Sequence, residues 1–298
     1  MSGAKITSAR PTGTEKKTRF RLLDALLLGP GVGFLTIAML VPAVQLLLAS
    51  FGLFGLGQSG QLTLNNYTSI ASNPLFTSAF RFSLLIALVT TALTIGIATA
   101  VSALLRTQVP GKRLITFLYK LPLVVPSLIA AFLVLTMIGP GGMLARLLIP
   151  WGIVWPDLLH NRWGTGIVIV LLWHSLPVSI LIVSAVTASI PQDVYEAAKT
   201  LGASPWFVFR RITVPLCAPG IAAAALLVFI DCFGSYAVPS LIGPAFPRAI
   251  AVMMTAEFLL HANWGTASAL GVVMITTTAL VLVLYHRLTR SAPQGNLR

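Results

Sequence analysis

Charge is what this chain has least of. Only 9% of its 298 residues are Asp, Glu, Lys or Arg, against about 25% in an ordinary soluble domain, so a water-facing surface of normal composition cannot be assembled from it. Carboxylates are scarcest, with seven Asp and Glu in all, scattered rather than paired. The four histidines, His160, His174, His261 and His286, lack metal-ligand spacing, and no HExxH or GxSxG run occurs. A GxxxxGK[ST] phosphate loop is also missing, since Pro110-Gly111-Lys112-Arg113 has neither the earlier glycine nor the Ser/Thr. These gaps exclude nucleotide hydrolysis by the chain itself. A membrane-embedded enzyme would need clustered His, Asp or Glu, and here they are dispersed. Cysteine is nearly absent too: Cys217 and Cys232 stand fifteen positions apart in one apolar stretch, too far along a helix to bridge, and read as small core residues.

What the chain has in quantity is apolar length. Hydrophobic residues make up 56% of it. Lipid offers the backbone no hydrogen-bond partner, so each crossing needs a helix of about 20 mainly apolar residues. Six segments qualify: 22–51, 82–105, 117–138, 165–186, 214–233 and 266–285. The fifth is the least regular, because Pro215 and Pro219 interrupt its start. The predicted architecture is an all-α integral membrane protein of about six transmembrane helices, with 22–286 as one transmembrane unit.

The formal net charge of +13 would on its own suit a nucleic-acid binder, but its placement argues against one. One set of cations comprises Lys5, Arg10, Lys16, Lys17, Arg19 and Arg21 before the first span, Arg106, Lys112 and Arg113 after the second, Lys199, Arg210 and Arg211 after the fourth, and Arg287, Arg290 and Arg298 at the end. The opposite side holds only Arg81, Arg146, Arg162 and Arg248. An excess of Lys and Arg marks cytoplasmic loops beside an anionic lipid surface, and Lys120 can snorkel back to that side. Both termini are therefore expected in the cytoplasm. Residues 1–21 read as a disordered basic tail rather than a signal peptide, and 287–298 as a cytoplasmic C-terminal tail.

The outward loops, 52–81, 139–162 and 234–265, carry glycine, proline and tryptophan, most densely in Pro150-Trp151-Gly152-Ile153-Val154-Trp155-Pro156. Tryptophan at this depth suits an interfacial anchor or a short re-entrant segment, and alternatively a docking face for an external partner. Ionisable groups within or beside spans are functional candidates, because lipid makes them expensive. His174 lies near mid-span before Pro177, Asp231 lies near the outward end of the fifth span, and Glu257 follows in the next loop. An interhelical hydrogen bond is the plain alternative for His174 and Asp231. Gly29 and Gly33 form a small-xxx-small face suited to close packing, within the subunit or between subunits.

The most polar internal stretch runs from Ser189 to Pro215, between the fourth and fifth spans. Its chemistry predicts two short helices. Pro191 suits a first helical turn, Asp193 and Glu196 lie toward the positive end of the dipole, and Lys199 lies toward the negative end. Gly202 fits the left-handed residue that ends a helix. Ser204 can cap the next helix with Pro205 at its first position, and Trp206, Phe207 and Phe209 give that helix a large apolar surface. Pro215 marks the bend into the fifth span. Such a helix-turn-helix is either a connector lying on the membrane or a plug for a partner's groove.

The spacing here carries a resemblance. Glu196-Ala197-Ala198, three residues, Gly202, nine residues, Ile212, one residue, Val214-Pro215 resembles the EAA motif of inner-membrane permeases from binding-protein-dependent ABC importers, with Val214 where the family usually has Leu. Leu121 to Leu128 and Tyr236 to Pro244 look like the spermidine/putrescine branch, which also includes ferric-iron, thiamine and phosphonate permeases. The resemblance covers roughly 22–285. It implies a type I importer permease fold in the bacterial inner membrane, with Glu196, Ala197, Ala198, Gly202, Ile212 and Pro215 in a cytoplasmic coupling helix-turn-helix. It further implies a cytoplasmic ABC ATPase dimer that holds the ATP and magnesium, a second permease subunit that is a different chain, and an external solute-binding protein. No cofactor and no nucleic acid are expected in this chain. A polyamine is the implied solute, with Asp231 and Glu257 as possible partners along its route and His174 as a third pathway candidate. A secondary transporter is the less favoured alternative, since no inverted repeat is visible.

Overall fold

A computed structural model describes residues 13–55, 60–107 and 110–290, with side chains from 28 to 287. The helices, in chain order, are α1 (Gly13–Ser50), α2 (Asn65–Ser72), α3 (Pro74–Arg106), α4 (Lys112–Lys120), α5 (Ser127–Ile138), α6 (Met143–Leu148), α7 (Thr165–Ser189), α8 (Gln192–Thr200), α9 (Pro205–Val208), α10 (Val214–Leu216), α11 (Ala218–Gly234), α12 (Ala237–Ile242), α13 (Ile250–Leu259) and α14 (Trp264–Arg290). No strand occurs among the described residues. Five stretches are long and apolar enough to cross a membrane: Leu28–Ser50, Pro74–Arg106, Ser127–Trp151, Thr165–Ser189 and Trp264–Arg287. Pro205–Leu216 and Ala218–Gly234, bent by 71°, make a sixth if taken as one span.

Helices α3 and α7 form the central pair, α11 packs on both, α5 closes on α7, and α1 lies outermost against α14. Half of the apolar window of α7 is buried inside the chain, against 6% for α1, so α7 is the axis of the bundle and α1 faces outward. The central seam is built from small and hydroxylated residues. Ala87, Thr90, Thr94 and Ala98 of α3 are fully buried, which lets backbones approach closely. Ser102 Oγ donates to Ile180 O at 3.3 Å, and Ser184 Oγ donates to Ser102 Oγ at 3.0 Å. Aromatic packing continues the core, with Phe233 stacked on Phe229 at 5.7 Å and edge-on to Phe80 at 6.1 Å.

Several boundaries differ from the sequence reading, each for a local reason. The second crossing starts at Pro74 rather than 82, because Asn73 Oδ1 accepts from Leu75 N at 2.9 Å with Pro74 in the first turn, a capping signal outside the apolar run. The third is not one helix over 117–138. It breaks at the 3₁₀ turn Leu121–Val124 and resumes at Ser127, because Pro122 and Pro126 cannot donate to an α ladder. The fifth starts at Ala218 rather than 214, after an elbow at Cys217 that falls between Pro215 and Pro219. Gly220 permits that elbow to seat: a Cβ there would lie 2.5 Å from Val186 Cγ2 of α7. Helix α1 begins at Gly13, inside the stretch expected to be a tail, while 1–12 and 291–298 lie outside the described residues.

The loops expected to face outward hold helices of their own. Helices α2, α12 and α13 occupy two of them. In the third, Trp155 Nε1 donates to Ile138 O at 2.7 Å, capping the end of α5, while Trp151 is exposed. Asp157 Oδ1 accepts from Leu159 N and His160 N, each at 3.0 Å. These bonds, with the backbone bond from His160 foremost, hold its carboxyl below the ordinary carboxylate range. At Gly29 and Gly33 an added Cβ would meet nothing within 4 Å, so this face is not packed within the described residues.

Candidate coupling site

The polar segment after α7 folds as its residues dictate. Pro191, in extended geometry, sits just before α8, one residue outside the helix rather than within its first turn. Asp193 occupies the first turn and Lys199 the last, each matched to the dipole. Gly202 adopts φ +76°. Its N–H donates to Lys199 O and the Ala203 N–H donates to Ala198 O, both at 3.0 Å, which is the paired-bond ending that requires a left-handed residue. Ser204 Oγ then accepts from Phe207 N at 3.3 Å, with Pro205 in the first turn of α9. The chain continues through a π turn, Phe209–Thr213, into α10 and the elbow.

Exposure sorts the six motif residues. Glu196 is exposed and, among the described residues, its carboxylate has no hydrogen-bond partner. Ala197 is exposed while Ala198 is buried, so the two alanines face opposite ways: Ala198 seats α8 and Ala197 leaves a flat outer surface. Ile212 is half-buried and Pro215 exposed. Beside them Leu201, Trp206 and Phe207 are 87%, 66% and 52% exposed, an apolar face in the one segment too polar to be buried in lipid. Trp206 stacks on Phe209 at 5.6 Å.

One contact was not legible beforehand. Arg106, counted in the sequence only as loop charge, reaches from the last residue of α3 into the segment. Its guanidinium donates to Thr187 O, to Ile190 O at 2.9 Å and to Gln192 Oε1 at 3.2 Å. It also lies 4.0 Å from the centroid of the Tyr195 ring. Tyr195 OH in turn lies 3.2 Å from Thr213 Oγ1 in the π turn. An open cleft of about 780 Å³ adjoins this group, lined by Arg106, Gln192, Tyr195, Lys199 and Phe209 among others. More than eighty positions separate Arg106 from Ile190, and no spacing rule links them.

The pathway candidates occupy distinct settings. His174 lies in α7 with Nδ1 buried and without a hydrogen-bond partner among the described residues. Asp231 is exposed on α11, so the interhelical hydrogen bond offered as its plain reading is not supported. Glu257 Oε1 lies 3.2 Å from His261 Nδ1. Both line a pocket of about 290 Å³ with Asn73, Arg248 and Met253. No group of three or more His, Cys, Asp or Glu able to hold a metal occurs among the described residues.

A polar elbow with a glycine-terminated helix, set between two apolar crossings of an all-helical bundle, is the arrangement that the EAA spacing led one to expect. Over residues 92–292 the sequence matches the family described as binding-protein-dependent transport system inner membrane component. The chain belongs to that family. Among members of this inner membrane component family it is 30% identical over 227 residues to the spermidine/putrescine transport system permease protein PotB of Haemophilus influenzae, covering 76% of this chain and 79% of that one. It is 32% identical over 224 residues to the trehalose transport system permease protein SugB of Mycobacterium tuberculosis, covering 73% of each. The fold superposes with a TM-score of 0.79 on a chain of a bacterial alginate ABC transporter crystallised with its alginate-bound periplasmic protein, at 19% identity, covering 94% of this chain and 98% of that one. The chain is thus an ABC permease of the inner membrane, a multi-pass transport component and not an enzyme.

Proposed function

We propose that this permease forms half of the solute pathway of an ATP-driven importer and is driven through α8 and α9 by a separate cytoplasmic ABC ATPase dimer. The observation that carries the reading is the exposed apolar face of Leu201, Trp206 and Phe207 on a glycine-capped elbow joined directly to the bent span α9–α11. A face of that kind on a soluble-side segment marks a protein contact, and hot-spot contacts favour tryptophan in well-packed pockets. In this reading Glu196 makes polar contact with the ATPase, Ala197 permits close approach, and closure of two ATPases on ATP moves two such elbows together. ATP and magnesium belong to the partner, and this chain carries no cofactor. Both termini then lie in the cytoplasm, an external binding protein delivers the solute, and the second permease is a different chain.

A polyamine is the proposed solute, supported by the likeness to PotB over three quarters of the chain. Asp231, exposed on α11, and Glu257 supply negative charge for a cation's route, with His174 beside it. A disaccharide is the second reading, favoured by the comparable likeness to SugB. Cysteine-directed crosslinking from Leu201→Cys and Trp206→Cys in native membranes tests the coupling face. Capture of an ATP-hydrolysing subunit from both positions is expected, and capture from neither removes the proposal. For the solute, the associated binding protein is screened for thermal stabilisation by spermidine, putrescine and trehalose. A shift with the amines alone is expected; a shift with trehalose alone replaces the polyamine with the sugar.

A further inference from the structure

Among the described residues α8 packs extensively on no other helix, and Ala198 is the one residue of it that is buried. A helix so loosely seated would swing about its two ends when pushed, and the displacement would be lost in the loop. Something must join it laterally to the bundle. The Thr187 hydroxyl of α7 cannot, since its Oγ1 donates to Val183 O and lies against Cys217 Sγ.

We propose that Arg106 is the positioning residue that fastens the coupling elbow to α3, so that movement of α8 is transmitted to the central α3–α7 pair; this rests on the coupling reading above. Three features of the geometry support the assignment. Thr187 and Ile190 supply carbonyls at the end of α7, where a helix runs short of donors: Thr187 O otherwise takes only a long 3.4 Å bond from Ile190 N, and the guanidinium adds a charged donor that matches the negative end of the dipole. The same guanidinium lies over the Tyr195 ring of α8, its carbon 4.0 Å from the ring centroid, a contact that the flat, weakly hydrated group of Arg makes more readily than the ammonium of Lys. Tyr195 then passes the linkage on, through its hydroxyl, to Thr213 at 3.2 Å, next to the elbow of the bent span. Arg106 therefore joins α3 directly to the end of α7 and to α8, and through Tyr195 to the π turn.

The test uses the assembled transporter, purified with its ATPases and partner permease and placed in lipid vesicles with its binding protein. Uptake of radiolabelled spermidine, with trehalose run in parallel, is measured together with ATP hydrolysis. Arg106→Ala is expected to co-purify with the ATPase and to hydrolyse ATP, while solute moved per ATP falls about tenfold or more, the effect of losing charge-assisted bonds at one joint. Arg106→Lys keeps the charge at the end of α7 but loses the fork and the stack, and is expected to regain thermal stability without regaining the ratio. Tyr195→Leu, which leaves Arg106 on its carbonyls, is expected to lower the ratio as Arg106→Ala does, and Tyr195→Phe to lower it partially. A merely structural role predicts less assembled complex at an unchanged ratio of uptake to hydrolysis, and that result overturns the proposal. If Arg106→Ala fails to assemble, an unchanged ratio in Tyr195→Leu overturns it equally. Failure of both Leu201→Cys and Trp206→Cys to capture an ATPase would instead remove the coupling reading itself, so the two outcomes are separable.

Discussion

Gly202 offers an unusually clean perturbation of the coupling elbow. Its φ of +76° lies in the left-handed region, and a Cβ built on it meets nothing within 4 Å. Substitution there therefore adds no clash and removes no side-chain contact, so whatever happens acts through the backbone alone. An L-residue in that conformation is strained by about 1–2 kcal/mol, asparagine least and β-branched residues most. The chain must either carry that strain or leave the conformation and give up the two 3.0 Å bonds to Lys199 O and Ala198 O, each worth about 1 kcal/mol. Either route costs the ordered turn a factor of roughly 5–30 in population. The expected order of impairment is Asn, then Ala, then Val. Asp tolerates the backbone but adds a negative charge at the negative end of α8, a further penalty of about 0.3–1 kcal/mol. Two measurements check this: amide exchange at 202 and 203, which should quicken in the same order, and solute moved per ATP in the reconstituted transporter, which should fall in that order while the protein stays inserted. Equal behaviour of Gly202→Asn and Gly202→Val, or wild-type uptake by Gly202→Val, would refute the reasoning.

Other expectations follow from the packing. Gly220→Ala forces a methyl to within 2.5 Å of Val186 Cγ2 and should destabilise the α7–α11 contact by about 1–3 kcal/mol, read as a lower unfolding temperature, with partial recovery in Gly220→Ala/Val186→Ala. Ser102→Ala removes the bond to Ile180 O and the acceptor for Ser184, a loss of about 0.6 kcal/mol per interhelical bond; Ser102→Ala/Ser184→Ala should cost little more than the single change, since the two share one bond. Asp157 gives the outward loop a pH dependence of known sign. Its carboxyl is held below the ordinary range by backbone donors, so its contribution is complete above the unfolded value and is lost as the pH falls through the folded one. Protease sensitivity of the 152–164 loop should rise only under acid conditions, and Asp157→Asn, which keeps an acceptor, should blunt that rise.

How much of this was legible in the sequence varies by element. The elbow was read almost residue by residue, because helix ends are local chemistry: Gly202, Ser204 and Pro205 act on neighbours within four positions. The six crossings were found by apolar length, yet several of their limits differ, the start of α1 at Gly13 among them. In three of them a proline or cap that apolar length does not register decided the end, as Asn73 with Pro74, Pro122 with Pro126, and Pro215 with Pro219 show. Arg106 was visible as a charge and invisible as a joint, because its partners are supplied by backbone carbonyls of a helix distant in sequence. Such acceptors have no residue type to recognise.

The two sulfhydryls of the chain lend the structure a reporter of its own. Cys217 is fully buried at the vertex of the bend and Cys232 is nearly so at the far end of the same helix. In the resting molecule neither meets a water-borne alkylating reagent. Labelling that arises only while fuel is being consumed would register a transient opening of the knee or of the upper seam, and replacing one sulfur at a time by Ser would say which. The stroke proposed above can thus be watched without adding a foreign probe.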